Sequence, residues 1–201
     1  MGIVSITNGT IKADILTDVG GRIIFFGRID GENVLESDPT LWEETPEERI
    51  TPTPETLDFK AYNGHEVWVG PQSLWWKQQD LNENKRHSTL FWPPDPYISF
   101  GNYTILEQQN NKIIIESEKS PISGIVITKE IEINTTGKLH FTATIENIRT
   151  TAVEWDIWFV TRVNGHNSNF APINSPDEVT LSEPSHPYQG RPRYKTEEGF
   201  F

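Results

Sequence analysis

Apolar and polar positions alternate with a period of two along most of the chain, and helical periodicity is scarce. Leu139, Phe141, Ala143 and Ile145 fall on one face, and His140, Thr142, Thr144 and Glu146 fall on the other, which predicts a half-buried strand. Just before it, Ile125, Ile127, Ile131 and Ile133 oppose Val126, Thr128, Glu130 and Glu132. Asn134-Thr-Thr-Gly137 supplies turn chemistry between the two runs, so the pair predicts a hairpin. Asn8-Gly9 separates Ile3 to Thr7 from Thr10 to Leu16, and Asp30-Gly31 separates Arg22 to Ile29 from Glu32 to Glu36 in the same manner. Asn110-Asn111 punctuates Tyr97 to Gln109 and Lys112 to Ser117. About ten short strands at this spacing predict an all-β, antiparallel β-sandwich. Two stretches break the rhythm: Ser37 to Pro54, rich in Pro, Thr and Glu, and Gly70 to Pro96, which carries Trp, Asn, Lys and Pro without alternation. Long loops on a rigid sandwich are where binding groups concentrate.

A length of 201 residues fits a single domain, 1–201, and the Pro-, Ser- and Glu-rich part from Ala171 onward predicts an extended arm or an incomplete final part over 171–201. Lys and Arg number 17 against 29 Asp and Glu, a net charge of -12 without a basic stripe. Phosphate backbones are repelled by such a surface, which argues against a nucleic-acid partner. No apolar run is long enough to span a bilayer, so no membrane partner is expected and the protein is expected to be soluble. The compartment is cytoplasmic if Met1 is the native start and periplasmic or secreted otherwise. The absence of cysteine excludes disulfides, thiolate catalysis and Cys-type zinc sites.

The seven tryptophans carry most of the chemical signal. Four of them, Trp68, Trp75, Trp76 and Trp92, lie in or beside one long loop region. A sugar ring stacks its C–H face on indole while its hydroxyls need fixed polar partners, and this region offers Asn63, His65, Glu66, Gln72, His87 and Asp95. Indoles also fill sandwich cores; Trp75 and Trp76 point to opposite sides of an extended chain, so at most one faces a ligand and one is assigned to the core. His65-Glu66 is no metalloprotease motif, because Val69 stands where the second histidine is required. His87 and His166 lack partners at ligand spacing, so neither a metal nor a cofactor is expected. In the predicted strand Val153 to Val163, Glu154, Asp156, Trp158, Val160 and Arg162 share a mixed polar and aromatic face.

Val19-Gly-Gly-Arg-Ile23, Asn63-Gly-His-Glu-Val-Trp68 with Gly70-Pro-Gln72, Phe91-Trp-Pro-Pro-Asp-Pro96 and the strand ending in Thr161-Arg162 resemble the DUF4380 proteins. That family is similar to the aldose 1-epimerases of the galactose-mutarotase-like superfamily, and the resemblance implies a supersandwich with a concave sugar-binding face. It also implies an acid histidine that protonates the ring oxygen and a late glutamate that removes the anomeric proton. Aligning Glu146 to Val153 with the family turn puts Trp158 at or next to the histidine's place, and an indole cannot donate and recover a proton. The late glutamates present are Glu178, Glu183, Glu197 and Glu198. His65 or His87 with Glu66 or Asp95 is the substitute acid–base pairing.

Two functional readings follow. The first is a carbohydrate-binding, aldose 1-epimerase-like protein, acting on sugar anomers if another acid–base pair replaces the histidine. In it Trp68, Trp92 and Trp158 stack on a small carbohydrate, and His65, Glu66, Gln72, Asp95 and Arg162 supply polar contacts. The second is a non-enzymatic structural or protein-interaction sandwich whose exposed aromatics meet a partner, a second copy in a homo-oligomer included.

Overall fold

Period-two segments become strands because each can bury one row of apolar side chains between two sheets. The structure, a computed structural model, describes residues 2–165, 172–179, 195–196 and 199–200. Among them nine strands form: β1 (Ile3–Thr7), β2 (Ile11–Leu16), β3 (Arg22–Arg28), β4 (His65–Gly70), β5 (Tyr103–Gln108), β6 (Lys112–Ser117), β7 (Ile125–Ile133), β8 (Leu139–Asn147) and β9 (Asp156–Thr161). The first sheet runs β1-β2-β3-β4-β9 and the second β5-β6-β7-β8, with every pairing antiparallel. Ile6, Ala13, Ile15 and Ile23 of the first sheet pack on Ile113, Ile115, Ile131 and Ile133 of the second, which makes the predicted all-β sandwich.

The hairpin turns are built as the sequence predicts. Asn8 Oδ1 accepts from the Thr10 and Ile11 amides (3.0 and 2.9 Å), and Asn134 Oδ1 accepts from the Thr136 and Lys138 amides (3.0 and 2.9 Å). The β7 face that carries Ile125, Ile127, Ile131 and Ile133 also carries Lys129, which is fully buried. Its ammonium donates to the Gly20 and Gly21 carbonyls (2.6 and 3.1 Å) and lies 4.2 Å from the Tyr103 ring centre. A buried charge needs such partners, and here they fix the turn between β2 and β3. Burial above all, and Arg22 next, lower the Lys129 pKa to about 7, while Glu66 opposes the shift.

The first sheet is covered on both faces. Ile15 and Ile23 join the inter-sheet core, whereas their neighbours Leu16 and Ile24 join a second cluster with Val19, Tyr62 and Phe100. Leu41, Trp42, Ile50 and Phe59 pack against that cluster, so the segment that breaks the alternation serves as a roof over the sheet's outer face.

Three predicted strands change form. Tyr97 to Gln109 is divided, because Asp95 caps a short helix over Pro96–Phe100 and accepts from the Tyr97 amide (2.9 Å), with Pro96 pre-set for the first turn. Glu32 to Glu36 does not become a strand, because the Asn33 side chain takes over the pairing with β3. It accepts from the Phe26 amide (3.0 Å) and donates to the Ile24 carbonyl (2.7 Å). Val153 to Val163 shortens to β9.

The chain divides into two compact units, residues 1–164 and 165–201. The described part of the second unit has a bridge between Pro172 and Phe200 and a 3-10 turn over Pro176–Glu178, capped by Ser175. There Glu178 accepts from the Asn174 side chain (3.1 Å). His166, Glu183, Glu197 and Glu198 lie outside the described residues. No helix among the described residues is long and apolar enough to cross a membrane.

Candidate functional site

Alternation along β4 sends His65, Val67 and Val69 to one side and Glu66, Trp68 and Gly70 to the other. The register with β9 pairs His65 with Thr161, Val67 with Phe159, Trp68 with Trp158 and Gly70 with Asp156. Directly opposite residues of an antiparallel pair share a face, so Trp68, Trp158 and Asp156 stand together on the same side as Glu66. The other side faces the second sheet: the His65 ring meets Phe141 of β8 edge-on at 4.5 Å and lies 5.7 Å from Phe159.

On the outer side Trp68 is 7% exposed and is ringed by aromatics from the roof. Trp75, Trp92 and Phe59 approach it edge-on at 5.6, 5.8 and 6.4 Å. Trp92 leans on Phe59 at 4.7 Å. Such pairs contribute about 0.5–1.5 kcal/mol each beyond burial, enough to hold the loop side chains in place. Trp92 and Trp158 remain 44% and 45% exposed, and these two indoles are the free stacking surfaces of the face.

Arg162 follows β9. Its amide donates to the Gly64 carbonyl (2.8 Å) and its carbonyl accepts from the Glu36 amide (2.9 Å), so its backbone is fixed on both sides. Its guanidinium carbon lies 6.0 Å from the Trp68 ring centre. The Trp68 Nε1–H is buried and has no hydrogen-bond acceptor.

The remaining sequence candidates sit elsewhere or carry other duties. Glu66 is buried beside Arg22, with Oε2 3.3 Å from Nη2. Arg22 also donates to the Val19 carbonyl (3.1 Å) and the Ser99 carbonyl (2.5 Å), and its guanidinium lies 5.1 Å from the Tyr62 ring. Glu66 therefore serves as the counter-charge of an interior arginine. His65 shares a 2.8 Å hydrogen bond between Nδ1 and Thr161 Oγ1, while its Nε2 is buried without a partner. Burial first, and the Lys129 ammonium second, push its pKa down to about 4. Because His65 and Glu66 leave β4 on opposite faces, one substrate cannot meet both, and the pair is corrected from acid–base candidate to two structural residues.

Asp95 is corrected likewise. It is buried, caps the helix at Pro96–Phe100, and accepts at Oδ2 from the Ser123 hydroxyl (2.6 Å), the Ser123 amide (3.1 Å) and the Ser120 hydroxyl. Desolvation raises its pKa against the pull of these hydrogen bonds. Its lone pairs are committed inside the fold. Gln72 is half-buried in the 3-10 turn over Gln72–Leu74 that follows β4. Trp75 and Trp76 are both buried, and their ring N–H groups donate to the Val69 and Pro93 carbonyls (2.6 and 2.7 Å). Both indoles thus belong to the core. His87 is exposed at the end of the short helix over Glu83–His87, and among the described residues it belongs to no cluster of three or more ligating side chains.

The narrow gap behind Trp68, walled by Val69, Trp75, Pro94, Asp95, Ile98 and Ser99, has no room even for a water molecule. An ordinary ligand pocket holds roughly 300–1,000 Å³. The accessible aromatic surface is the outer side of Trp92 and Trp158 rather than this gap. Phe59 was not signalled by its neighbours: it lies in a Pro- and Thr-rich loop without periodicity, and only the fold brings it under Trp92.

Over residues 2–201 the chain matches the model of a family described as "Domain of unknown function (DUF4380)". Neither a curated protein nor a solved structure matches it.

Proposed function

The chain belongs to the DUF4380 family, a membership that prescribes no activity, and from its outer aromatic face we propose that it holds a carbohydrate. The observation that carries this reading is the pair of exposed indoles, Trp92 and Trp158, beside the buried Trp68 and the fixed backbone of Arg162. Indole faces take the apolar side of a pyranose, and Arg162 and Asp156 offer a donor and an acceptor to its hydroxyls. A two-sheet antiparallel sandwich is also what a galactose-mutarotase-like ancestry requires. Anomer exchange is not part of the proposal. The resemblance puts Trp158 at or next to the place of the acid histidine, and His65 and Glu66 face opposite ways.

The test combines intrinsic tryptophan fluorescence with saturation-transfer and anomer-exchange NMR over a panel of aldoses. The expected result is a saturable fluorescence change and ligand saturation transfer without faster exchange of α and β forms, with Trp158→Ala weakening binding at least tenfold. Absence of any response across the panel overturns the reading.

One observation favours the second reading, an interaction module. Phe141, Ala143, Ile145 and Ile157 face the second sheet or its partner yet are only half-buried, and Phe159 is 53% exposed. They belong to β8 and β9, the terminal strands of the two sheets among the described residues. Sedimentation that gives a dimer without ligand, together with a silent sugar panel, selects this reading.

A further inference from the structure

We infer that the ligand of the outer aromatic face is an anionic sugar, whose carboxylate or phosphate is taken by Arg162; this rests on the carbohydrate reading. The local chemistry is rich in donors. Arg162 is exposed, its guanidinium offers five N–H groups, and among the described residues its side chain meets the Trp68 ring, at 6.0 Å, and no carboxylate. Every other described arginine that touches this part of the fold is occupied: Arg22 by Glu66 and the Val19 and Ser99 carbonyls, and Arg149 by the carbonyls of Gln78, Pro121 and Ile122.

A second sign lies on the same face: Trp158, the cross-strand partner of Trp68, is 45% exposed, so a ring stacked on it lies on the side to which Arg162 reaches. A guanidinium at that place suits a group that only accepts, as an ionised carboxylate or phosphate does. The planar fork of Arg matches such a group through two parallel N–H···O bonds. Asp156 does not compete at this point. Among the described residues no ion pair joins the two; on the face they share, Asp156 lies two positions before Trp158 and Arg162 four positions after it. The acid therefore sits at the far end of the Trp158 platform, where a neutral or hydroxyl-bearing end of the ligand falls. The net charge of -12 opposes anions at long range, which makes a local fork the necessary device for holding one.

Titration of the full chain with glucose and galactose against glucuronate, galacturonate and glucose 6-phosphate, at one ionic strength, tests this. The expected result is that a uronate or the sugar phosphate binds about tenfold tighter than the matching neutral sugar, equivalent to about 1.4 kcal/mol. Which anion carries the gain assigns the charge to carboxylate or phosphate. Arg162→Gln is expected to reduce the gain below threefold and Arg162→Lys to keep part of it, since an ammonium retains the charge and loses the fork. Thermal unfolding of both variants confirms that they fold. Neutral sugars binding as tightly as the anions, or a gain that survives Arg162→Gln, overturns the inference and leaves the carbohydrate reading standing. No binding by any of the five overturns both.

Discussion

His65 joins two strands through Thr161, 96 positions away in sequence, and presses its ring on Phe141. Its imidazole is held near pKa 4, against an ordinary value of 6.5, chiefly because burial disfavours the charged form. Between those two values the unfolded chain binds more protons than the folded one, so stability is full above about 6.5 and declines as pH falls towards 4. Below that both states are protonated and the loss ends. Urea unfolding from pH 7 to pH 4 is expected to show roughly 1–3 kcal/mol of loss from this group, and His65→Gln to remove that part of the slope. An unchanged slope in the variant would place the titration elsewhere. The sequence makes His65 and Glu66 neighbours and invites a joint role; alternation already separates them by face, but only the partners reveal their duties. Arg22 and Thr161 are remote in sequence, and no local pattern links them to β4. Lys129 had a visible sign, since it interrupts a row of isoleucines at the same period-two position.

At the scale of elements, β3 and β4 meet at one register pair, Ile23 with His65, so their junction depends on what precedes β4. Gly64 has φ +78°, and a Cβ there would lie 2.1 Å from the Ile23 carbonyl oxygen. Gly9, in the β1–β2 turn, has φ +91° with no atom within 4 Å of the same position. Both need the left-handed region, but only Gly64 also needs the space. Gly64→Ala is expected to destabilise by at least about 3 kcal/mol and Gly9→Ala by about 1 kcal/mol, measured by urea unfolding. Equal losses would mean that β3 yields to the added methyl. Hairpins were legible because Asn-Gly and Asn-Thr-Thr-Gly turns carry their own hydrogen bonds. The helix at Pro96–Phe100 was also written locally, in Asp95-Pro96, yet alternation further on obscured it. Asn33 gave no warning, because a side chain that replaces a strand's backbone partners looks like a strand residue until the partners are known.

For the molecule as a whole, a charge of -12 means self-repulsion among carboxylates that the few surface ion pairs offset weakly. Raising NaCl from 10 to 200 mM is expected to increase the melting temperature by about 2–5 °C, because screening relieves repulsion at distances beyond the Debye length. A falling melting temperature would show that pairs such as Lys12–Asp14 and Lys112–Glu130 outweigh it. The amino-acid order by itself determined the strand segments, their hairpin turns, the all-β class and the richness in indole. These follow from side-chain periodicity and turn chemistry, both encoded within a few residues. Tertiary structure alone decided which tryptophans are core and which are free, that Asp95 and Glu66 are spoken for, and that Arg162 is left over Trp68. Burial and charge pairing depend on which segments pack together, and that is a property of the assembled sheets and their roof rather than of any stretch of chain.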